Sequence, residues 1–250
     1  HETDPVKIAE LRKLYAPDIL AYDIPGSMSV RQAGKKSNHG LNYDMGYKTF
    51  ALANETLESE AKKICASYHE AYPAIRANFH HYVKRQLGTT RTLTNMFGRK
   101  RTFYDRWSDA MHKDGYAFIP QSTLADLVNY AIVSIYNDSC PEFDLMEMLI
   151  QVHDSILFQY NRVSHVEPRM IAQAILRAGE HMNPELKWDG RKFHIRNDVK
   201  IGYNWGGYHS EHNPTGMLEL EWSDDLDTMT ARLEQGLETL NNGEDSGELA

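Results

Sequence analysis

The sequence predicts an α+β protein, because helical segments dominate its first half and short strands occupy much of its second half. Residues 47–87 carry apolar side chains at three- and four-residue spacing from Ala51 through Tyr82, the period of an amphipathic helix. Residues 151–160, QVHDSILFQY, place two polar residues between short apolar runs, which is typical of a β-hairpin. Residues 191–205 are predicted to form further strands.

The remaining elements follow from local signals. Further helices are predicted over residues 5–20, from about Val30, over 122–138 and near 166–180. Ser27 and Ser29 lie just before Val30 and can cap its helix. The 122–138 helix has one apolar side, formed by Leu124, Leu127, Val128, Ala131, Ile132 and Ile135. Residues 87–107 combine glycine, β-branched residues and dense charge, which indicates a strand or hairpin with loops.

The composition is that of an ordinary soluble globular protein. The 250 residues are 41% hydrophobic and 25% charged, enough to bury one large core or two smaller ones. No apolar stretch reaches membrane-spanning length, and we expect no secretory leader. Cys65 and Cys140 show neither paired spacing nor a zinc pattern, so a reducing cytoplasm is the expected location. The chain starts with His1 and not Met, so we expect a preceding segment that is separate or was removed.

The formal net charge of −8 hides a strong asymmetry along the chain. Residues 217–250 contain ten acidic residues and one basic residue, whereas the rest of the chain is close to neutral. Within that remainder, residues 76–113 contain nine Lys or Arg against Asp105 and Asp109. Basic clustering of this kind favours a phosphate backbone as partner, and a solvated helix face is the alternative interpretation.

Residues 31–46, RQAGKKSNHGLNYDMG, contain a second informative pattern. On a helix, one face would carry two cations, an amide and two rings: Arg31, Lys35, Asn38, His39 and Tyr43. These positions span about 140° of arc. Such cations suit a polyanion such as a triphosphate, and the rings can stack on a sugar or base; the alternative is a basic surface helix. Gly34 and Gly40 each disfavour a mid-helix position by roughly 1 kcal/mol, so another feature should explain them.

Asp154 follows His153 at the tip of the predicted hairpin. A hairpin tip can lift a carboxylate out of the core, which is how strand ends commonly present metal ligands. Isolated aspartates in turns are also common turn formers. The stretch by itself leaves both interpretations open.

The pattern of residues 31–46 resembles the fingers-helix motif of family A DNA polymerases, R-x-x-x-K-x-x-N-F-G-x-x-Y-G. This chain has Arg31, Lys35 and Tyr43 at the matching positions. His39 replaces the usual Phe or Tyr, and Asp44 replaces the last Gly.

Further motifs follow in the order of that family. NMFGRKRTF at 95–103 resembles its F-G-R-R-R-x segment, and FIPQSTLADLV at 118–128 resembles its P-x-Q-G-T-A-A-D-L helix start. QVHDS at 151–155 is similar to the palm hairpin V-H-D-E, and KIGYNW at 200–205 to a closing strand of phage members. The resemblance covers about residues 25–207. It implies the right-hand polymerase architecture, with helical fingers followed by part of an antiparallel-sheet palm.

The resemblance assigns four residues to the incoming deoxynucleotide. Arg31 and Lys35 would bind its phosphates, with Lys35 placed to neutralise charge that develops during transfer. His39 would lie against the sugar and base, and Tyr43 near the template base at the insertion site.

It assigns five more to DNA and metal. Arg99 and Arg101 would hold the DNA backbone or the base of the fingers, and Gln121 would touch the minor groove of the primer-template end. His153 would position the primer terminus. Asp154 would ligate an Mg²⁺ pair that activates the primer 3′-hydroxyl.

The resemblance also divides the chain. Residues 1–100 would form the fingers subdomain, with the nucleotide-binding helix near 28–50. Residues 101–212 would form the C-terminal palm subdomain, and residues 213–250 an acidic, partly disordered tail.

The family needs a second metal-binding aspartate, on a D-Y-S-x-I-E-type strand before the fingers helix, and residues 1–30 do not supply it. We therefore expect an upstream segment or separate chain to complete the metal site, and this chain to be inactive alone. The predicted partners are primer-template DNA, dNTPs and that segment, with no membrane. Two alternatives stay open: a fragment of a single-subunit phage-type RNA polymerase, and a noncatalytic DNA- or nucleotide-binding subunit.

Overall fold

The computed structural model describes residues 23–24, 28–160 and 167–247, and the side chains of 34–160 and 167–243. The chain divides into two compact units, one ending at Pro120 and one beginning at Gln121. The predicted boundary between fingers and palm at residue 100 stays a prediction. The segment just after residue 100 belongs to the first of these units.

The first unit is mainly helical. Its helices are α1 (Val30–Asn42), α2 (Tyr47–Ala53), α3 (Glu58–Ala71), a π-helical segment (Ile75–His80) and α4 (His81–Thr90). Two antiparallel strand pairs accompany them: β1 (Asp23–Ile24) with β2 (Met28–Ser29), and β3 (Thr92–Thr94) with β4 (Lys100–Thr102). The helix predicted from Val30 and the hairpin predicted within 87–107 are confirmed. The helix predicted over 5–20 lies outside the described residues.

Two apolar clusters hold this unit together. Leu41, Phe50 and Ala61 form the first, which fastens the end of α1 to α2 and α3. The second forms where the long helix α5 (Asp109–Tyr136) begins. A Cβ added to Gly115 would lie 2.9 Å from Val83. Glycine therefore allows α5 to approach α4 closely.

Helix α5 begins earlier than the sequence predicted. The pattern placed a helix over 122–138, but α5 already starts at Asp109 and contains Pro120 in its interior. Pro120 removes one helical hydrogen bond, and it falls at the division between the two units. Burial of Met111, Tyr116 and Ile119 maintains the helix before it.

The second unit combines hairpins with two helices. After α5 come a 3₁₀ turn (Pro141–Leu145), β5 (Met146–Val152), β6 (Ser155–Tyr160), α6 (Pro168–Met182), β7 (Leu186–Trp188), β8 (Arg191–Phe193), β9 (Val199–Ile201), β10 (Leu218–Leu220) and α7 (Leu226–Gly247). The strands pair antiparallel as β5 with β6, β7 with β8 and β9 with β10. The α+β class, the hairpin at 151–160 and the helix near 166–180 are confirmed.

The described residues of the acidic end form strand β10 and helix α7, in the region where the sequence predicted an acidic, partly disordered tail over 213–250. Its buried positions recur at helical spacing on α7, as Met229, Leu233, Gly236 and Leu240. Three of these residues, Met229, Leu233 and Leu240, share a core with Ile171, Ala172 and Ile175 of α6. The low overall hydrophobicity concealed an amphipathic helix, because its acidic residues occupy the opposite, solvent-facing side.

No helix within the described ranges is both long enough and apolar enough to cross a membrane.

Candidate functional site

Helix α1 brings together three of the predicted nucleotide-binding residues. Lys35 and His39 are exposed one turn apart. The His39 ring packs edge-on against the Tyr43 ring, with centroids 4.8 Å apart and an interplanar angle of 83°. Arg31 also lies on α1, but its side chain is outside the described part. The described side chains of Lys35, His39 and Tyr43 therefore form the predicted group of one cation and two rings.

The end of α1 explains two unusual residues in its sequence. The Asp44 N–H donates to the Leu41 carbonyl at 3.2 Å, and the Met45 N–H donates to the Gly40 carbonyl at 2.9 Å. This pair of bonds is the Schellman motif, which needs a left-handed residue after the helix. Asp44 fills that position with φ of 59°. The family pattern has glycine there, the residue that adopts this conformation most easily.

Gly40 lies within the same motif. The Met45 side chain folds over it, and a Cβ on Gly40 would lie only 2.7 Å from Met45 Cε. A contact between these two positions usually accompanies a Schellman motif. The glycine that weakened the helix prediction thus makes room for the helix end.

Three side chains from outside α1 fasten its end. The Tyr68 hydroxyl lies 2.6 Å from Asn38 Oδ1 and 2.9 Å from Asn42 Oδ1. His80 Nε2 donates to the Asn42 carbonyl at 2.8 Å. These bonds connect α3 and the π-helical segment to the last turns of α1.

The third fastening is an ion pair. Arg76 donates to Asp44 Oδ1 through Nη2 at 2.7 Å and through Nε at 3.2 Å. Partial burial acts to raise the pKa of the Asp44 carboxyl, but the hydrogen bond and charge of Arg76 outweigh it, so the pKa lies below its ordinary value. The pair offsets the left-handed backbone of Asp44, which costs a non-glycine residue about 1 kcal/mol or more.

His80 is held in the neutral form. It is 3% exposed and stacks on the Tyr116 ring at 3.8 Å between centroids. Burial lowers the pKa of His80, and burial raises the pKa of Tyr116 to about 12. Because Nε2 faces a carbonyl, the neutral imidazole must carry its proton there.

The β3–β4 hairpin orients the two predicted backbone-binding arginines. Asn95 Oδ1 accepts from the Phe97 N–H at 3.0 Å and the Arg99 N–H at 2.9 Å, which closes the turn. Arg101 is exposed on β4, with its guanidinium 4.5 Å from the Phe103 ring centroid. Both arginines therefore belong to one ordered arm. Gln121 is exposed on α5, in mid-helix and not at a helix start as predicted.

The predicted metal ligand stands at the tip of the β5–β6 hairpin. Val152 pairs with Ser155, so His153 and Asp154 form the two-residue loop. His153 has φ of 53°, the left-handed conformation that primed hairpin turns use. The Ser155 hydroxyl donates to the Val152 carbonyl at 2.8 Å and so supports the turn. The Asp154 side chain is exposed and has no hydrogen bond or ion pair within the described ranges.

Asp154 fits Mg²⁺ by donor type, because a carboxylate oxygen is the ligand this ion prefers. It does not form a complete site: the described residues contain no group of three or more His, Cys, Asp or Glu that could hold a metal ion. Asp154 supplies one carboxylate of the kind that such a site uses.

Sequence reasoning missed three residues that fasten α1: Tyr68, Arg76 and His80. His80 is buried. The one available signal was Asp44 in a glycine position, because a strained residue needs a partner elsewhere in the fold.

The family model for DNA polymerase family A matches residues 24–207. The chain belongs to DNA polymerase family A. It is 27% identical to DNA polymerase I of Treponema pallidum over 82% of this chain and 20% of that protein. It is 25% identical to DNA polymerase I of Borreliella burgdorferi over 72% of this chain and 20% of that protein. The chain thus spans about a fifth of the length of these relatives.

Solved structures show the same fold. The POL domain of Pol1 from M. smegmatis, in complex with DNA primer-template and dNTP, superposes with a TM-score of 0.53 at 19% sequence identity. The superposition covers 63% of this chain and 28% of that one. At this identity the likeness establishes the fold alone.

Proposed function

We propose that this chain forms part of a DNA-directed DNA polymerase that transfers nucleotides from dNTPs to a primer 3′-hydroxyl on a DNA template. The observation that carries the proposal is the C-terminal half of α1, where the exposed Lys35 and His39, with the half-buried Tyr43 directly after the helix, keep the spacing of the fingers motif within a chain of this family.

The α1 face suits an incoming dNTP. The Lys35 ammonium is exposed and has no partner among the side chains described, so it can neutralise phosphate charge that grows in the transition state. Arg31, one turn earlier on the same helix, would hold the phosphates with it. The His39 and Tyr43 rings, already in contact, would pack against the sugar and the template base.

The DNA contacts come from separate elements. Arg99 and Arg101 on the β3–β4 arm would bind the backbone, since guanidinium groups pair well with phosphate. Gln121 would donate to minor-groove acceptors that all base pairs share. His153 would position the primer terminus beside Asp154.

The metal site would be shared between this chain and another segment. Asp154 would hold Mg²⁺, and the second aspartate would come from a D-Y-S-x-I-E-type strand on an upstream segment or a separate chain. When bound, the two Mg²⁺ ions would supply Lewis-acid activation of the primer 3′-hydroxyl and stabilise the leaving pyrophosphate. In that assembly Asp154 would present a carboxylate oxygen to the ion, away from the core.

A noncatalytic DNA-binding subunit is the second candidate. It is favoured by the fact that the described residues contribute one carboxylate at the hairpin tip and no cluster around it. Such a subunit would bind primer-template DNA without extending it.

Primer extension separates the two. The 250-residue chain is mixed with a polypeptide that carries the missing strand of a family A polymerase, and Mg²⁺, dNTPs and a primer-template are added. We expect extension in the mixture and little with the chain alone. Asp154→Asn should slow extension about 1000-fold or more, because a metal ligand supplies several kcal/mol of transition-state stabilisation.

The matched control is Asp189→Asn. Asp189 is an exposed aspartate at the tip of the β7–β8 hairpin, with φ of 49°. Its substitution should leave the rate unchanged. DNA binding without extension in any mixture would favour the noncatalytic subunit. An extension rate that is unchanged by Asp154→Asn would show that Asp154 is not a metal ligand.

A further inference from the structure

A cavity of about 330 Å³ opens beside the end of α1 in the first unit. It is lined by Asp44, Arg76, His80, His81 and Lys84. Nothing in the nucleotide-binding role of α1 requires this cavity, because its lining comes mainly from the π-helical segment and α4. Its chemistry therefore needs a separate account.

The cavity presents positive charge and hydrogen-bond donors. Asp44 is its acidic residue, and that carboxylate is already neutralised by Arg76. The pair uses Nε and Nη2 of Arg76, which leaves the Nη1 donors with no partner among the described residues. Lys84 and His81 are exposed and likewise have no hydrogen bond or ion pair in the part of the chain that is described. The balance suits a group with a single negative charge and several acceptor oxygens.

The ion pair also fixes the geometry of the cavity. A guanidinium held by a carboxylate keeps one orientation, so its remaining donors are preorganised and less side-chain entropy is lost on binding. The π-helical segment that carries Arg76 and His80 is an irregularity of a kind that is frequent at functional sites.

The position of the cavity suggests the source of the anion. Asp44 directly follows Tyr43, and His80 holds the carbonyl of Asn42. The cavity therefore lies next to the residue that would meet the template base. Two of its lining residues, Arg76 and Lys84, are the first cations of the basic stretch of residues 76–113, which contains nine Lys or Arg.

We propose that this cavity binds a phosphodiester group of the single-stranded template, with Lys84 and Arg76 as its cationic contacts. The proposal rests on the polymerase function proposed above. Template phosphates carry one negative charge each, and the contact would be independent of sequence. It would guide the template strand toward the insertion site.

Lys84→Ala tests this assignment without disturbing the Asp44 ion pair. Lys84 is exposed on α4, and alanine favours a helix, so the variant should fold normally. The matched control is Lys63→Ala on α3, also an exposed helical lysine. Binding of the full chain to a primer-template with a long single-stranded template overhang is measured by fluorescence anisotropy at several salt concentrations.

We expect Lys84→Ala to weaken binding about fivefold and to lower the slope of log Kd against log salt by about 0.7, the value for one single-strand phosphate contact. Lys63→Ala should change neither quantity. With a blunt duplex of the same length, Lys84→Ala should have little effect, because the template strand no longer extends past the insertion site.

Equal effects of the two lysine substitutions on overhang DNA would overturn the cavity assignment. Equal effects of Lys84→Ala on overhang and blunt DNA would overturn the assignment to the template strand. If primer extension fails but Lys84→Ala still lowers the slope of log Kd against log salt as expected, catalysis is contradicted and the assignment of the cavity to the template strand is supported. A chain that binds no primer-template at all would contradict both proposals.

Discussion

The end of α1 and the tip of the β5–β6 hairpin each carry residues that the family pattern makes functional, and their surroundings differ. Tyr68, Arg76 and His80 fasten the end of α1 through side-chain hydrogen bonds. At the hairpin tip, Asp154 is exposed and has no such partner among the described residues. The end of α1 is held in place by contacts within its own unit, whereas the hairpin tip presents a carboxylate that is open to an external ligand.

This difference matches the chemistry each region would perform. A cation that stabilises transition-state charge works best when its scaffold is already rigid, because no reorganisation is then needed during reaction. A metal ligand needs an unoccupied carboxylate, since an internal ion pair would compete with the metal. We therefore expect substitutions around α1 to change rate or stability, and substitution of Asp154 to change activity alone.

The largest effect expected around α1 comes from Lys35→Ala. In the reconstituted extension assay it should lower the maximal incorporation rate about 100-fold, because it removes one preorganised group from the developing phosphate charge. Lys36→Ala is the control, since Lys36 is a neighbouring exposed lysine that points about 100° away around the helix. Equal rates for the two variants at saturating dNTP would contradict the role of Lys35.

A smaller effect is expected from Tyr68→Phe. Loss of the hydroxyl that contacts Asn38 and Asn42 should reduce the free energy of unfolding by about 1 kcal/mol, measured by urea denaturation. Tyr72→Phe is the control, because Tyr72 lies one turn later, is 56% exposed and has no hydrogen bond from its hydroxyl in the described residues. If Tyr68→Phe and Tyr72→Phe had equal free energies of unfolding, the Tyr68 hydroxyl would not stabilise the end of α1, and the contrast with the hairpin tip would be lost.

The smallest effect is a difference in pH dependence between the two units. Burial lowers the pKa of both His69 and His80 from the ordinary value of 6.5. As the pH falls, these histidines therefore bind protons in the unfolded chain before they do so in the folded chain. The stability that they contribute is complete above about pH 6.5 and declines below it. In the second unit, the hydrogen bond from His181 lowers the pKa of Asp138 from 3.8, and that stability declines only in stronger acid.

Amide hydrogen exchange at pH 7 and pH 5, converted to opening free energies, measures this difference. Amides of α1 and α4 should lose protection at pH 5, while those of α6 should not. His80→Gln keeps a donor for the Asn42 carbonyl and removes a titrating ring, so it should reduce the loss. Equal losses in both units would show that the buried histidines do not control the stability of the first unit.

Local patterns were enough to predict many of the elements. Apolar periodicity predicted helix over 47–87, although the structure divides that segment into several helices, and two polar residues between apolar runs predicted the turn at His153 and Asp154. The sequence did not predict the start of α5 or the helix α7. In both, tertiary burial of one helix face overrode the local signal.

By itself, the sequence determined the family, the α+β class and the spacing that puts Lys35 and His39 on one helix with Tyr43 directly after its end, because these depend on order and spacing along the chain. Only the tertiary structure revealed the Arg76–Asp44 pair, the Tyr68 and His80 bonds and the cavity beside them. Those partners are separated by 26 to 38 positions. Helical and strand periodicity carry no information over such distances, so these contacts exist only once the helices have packed.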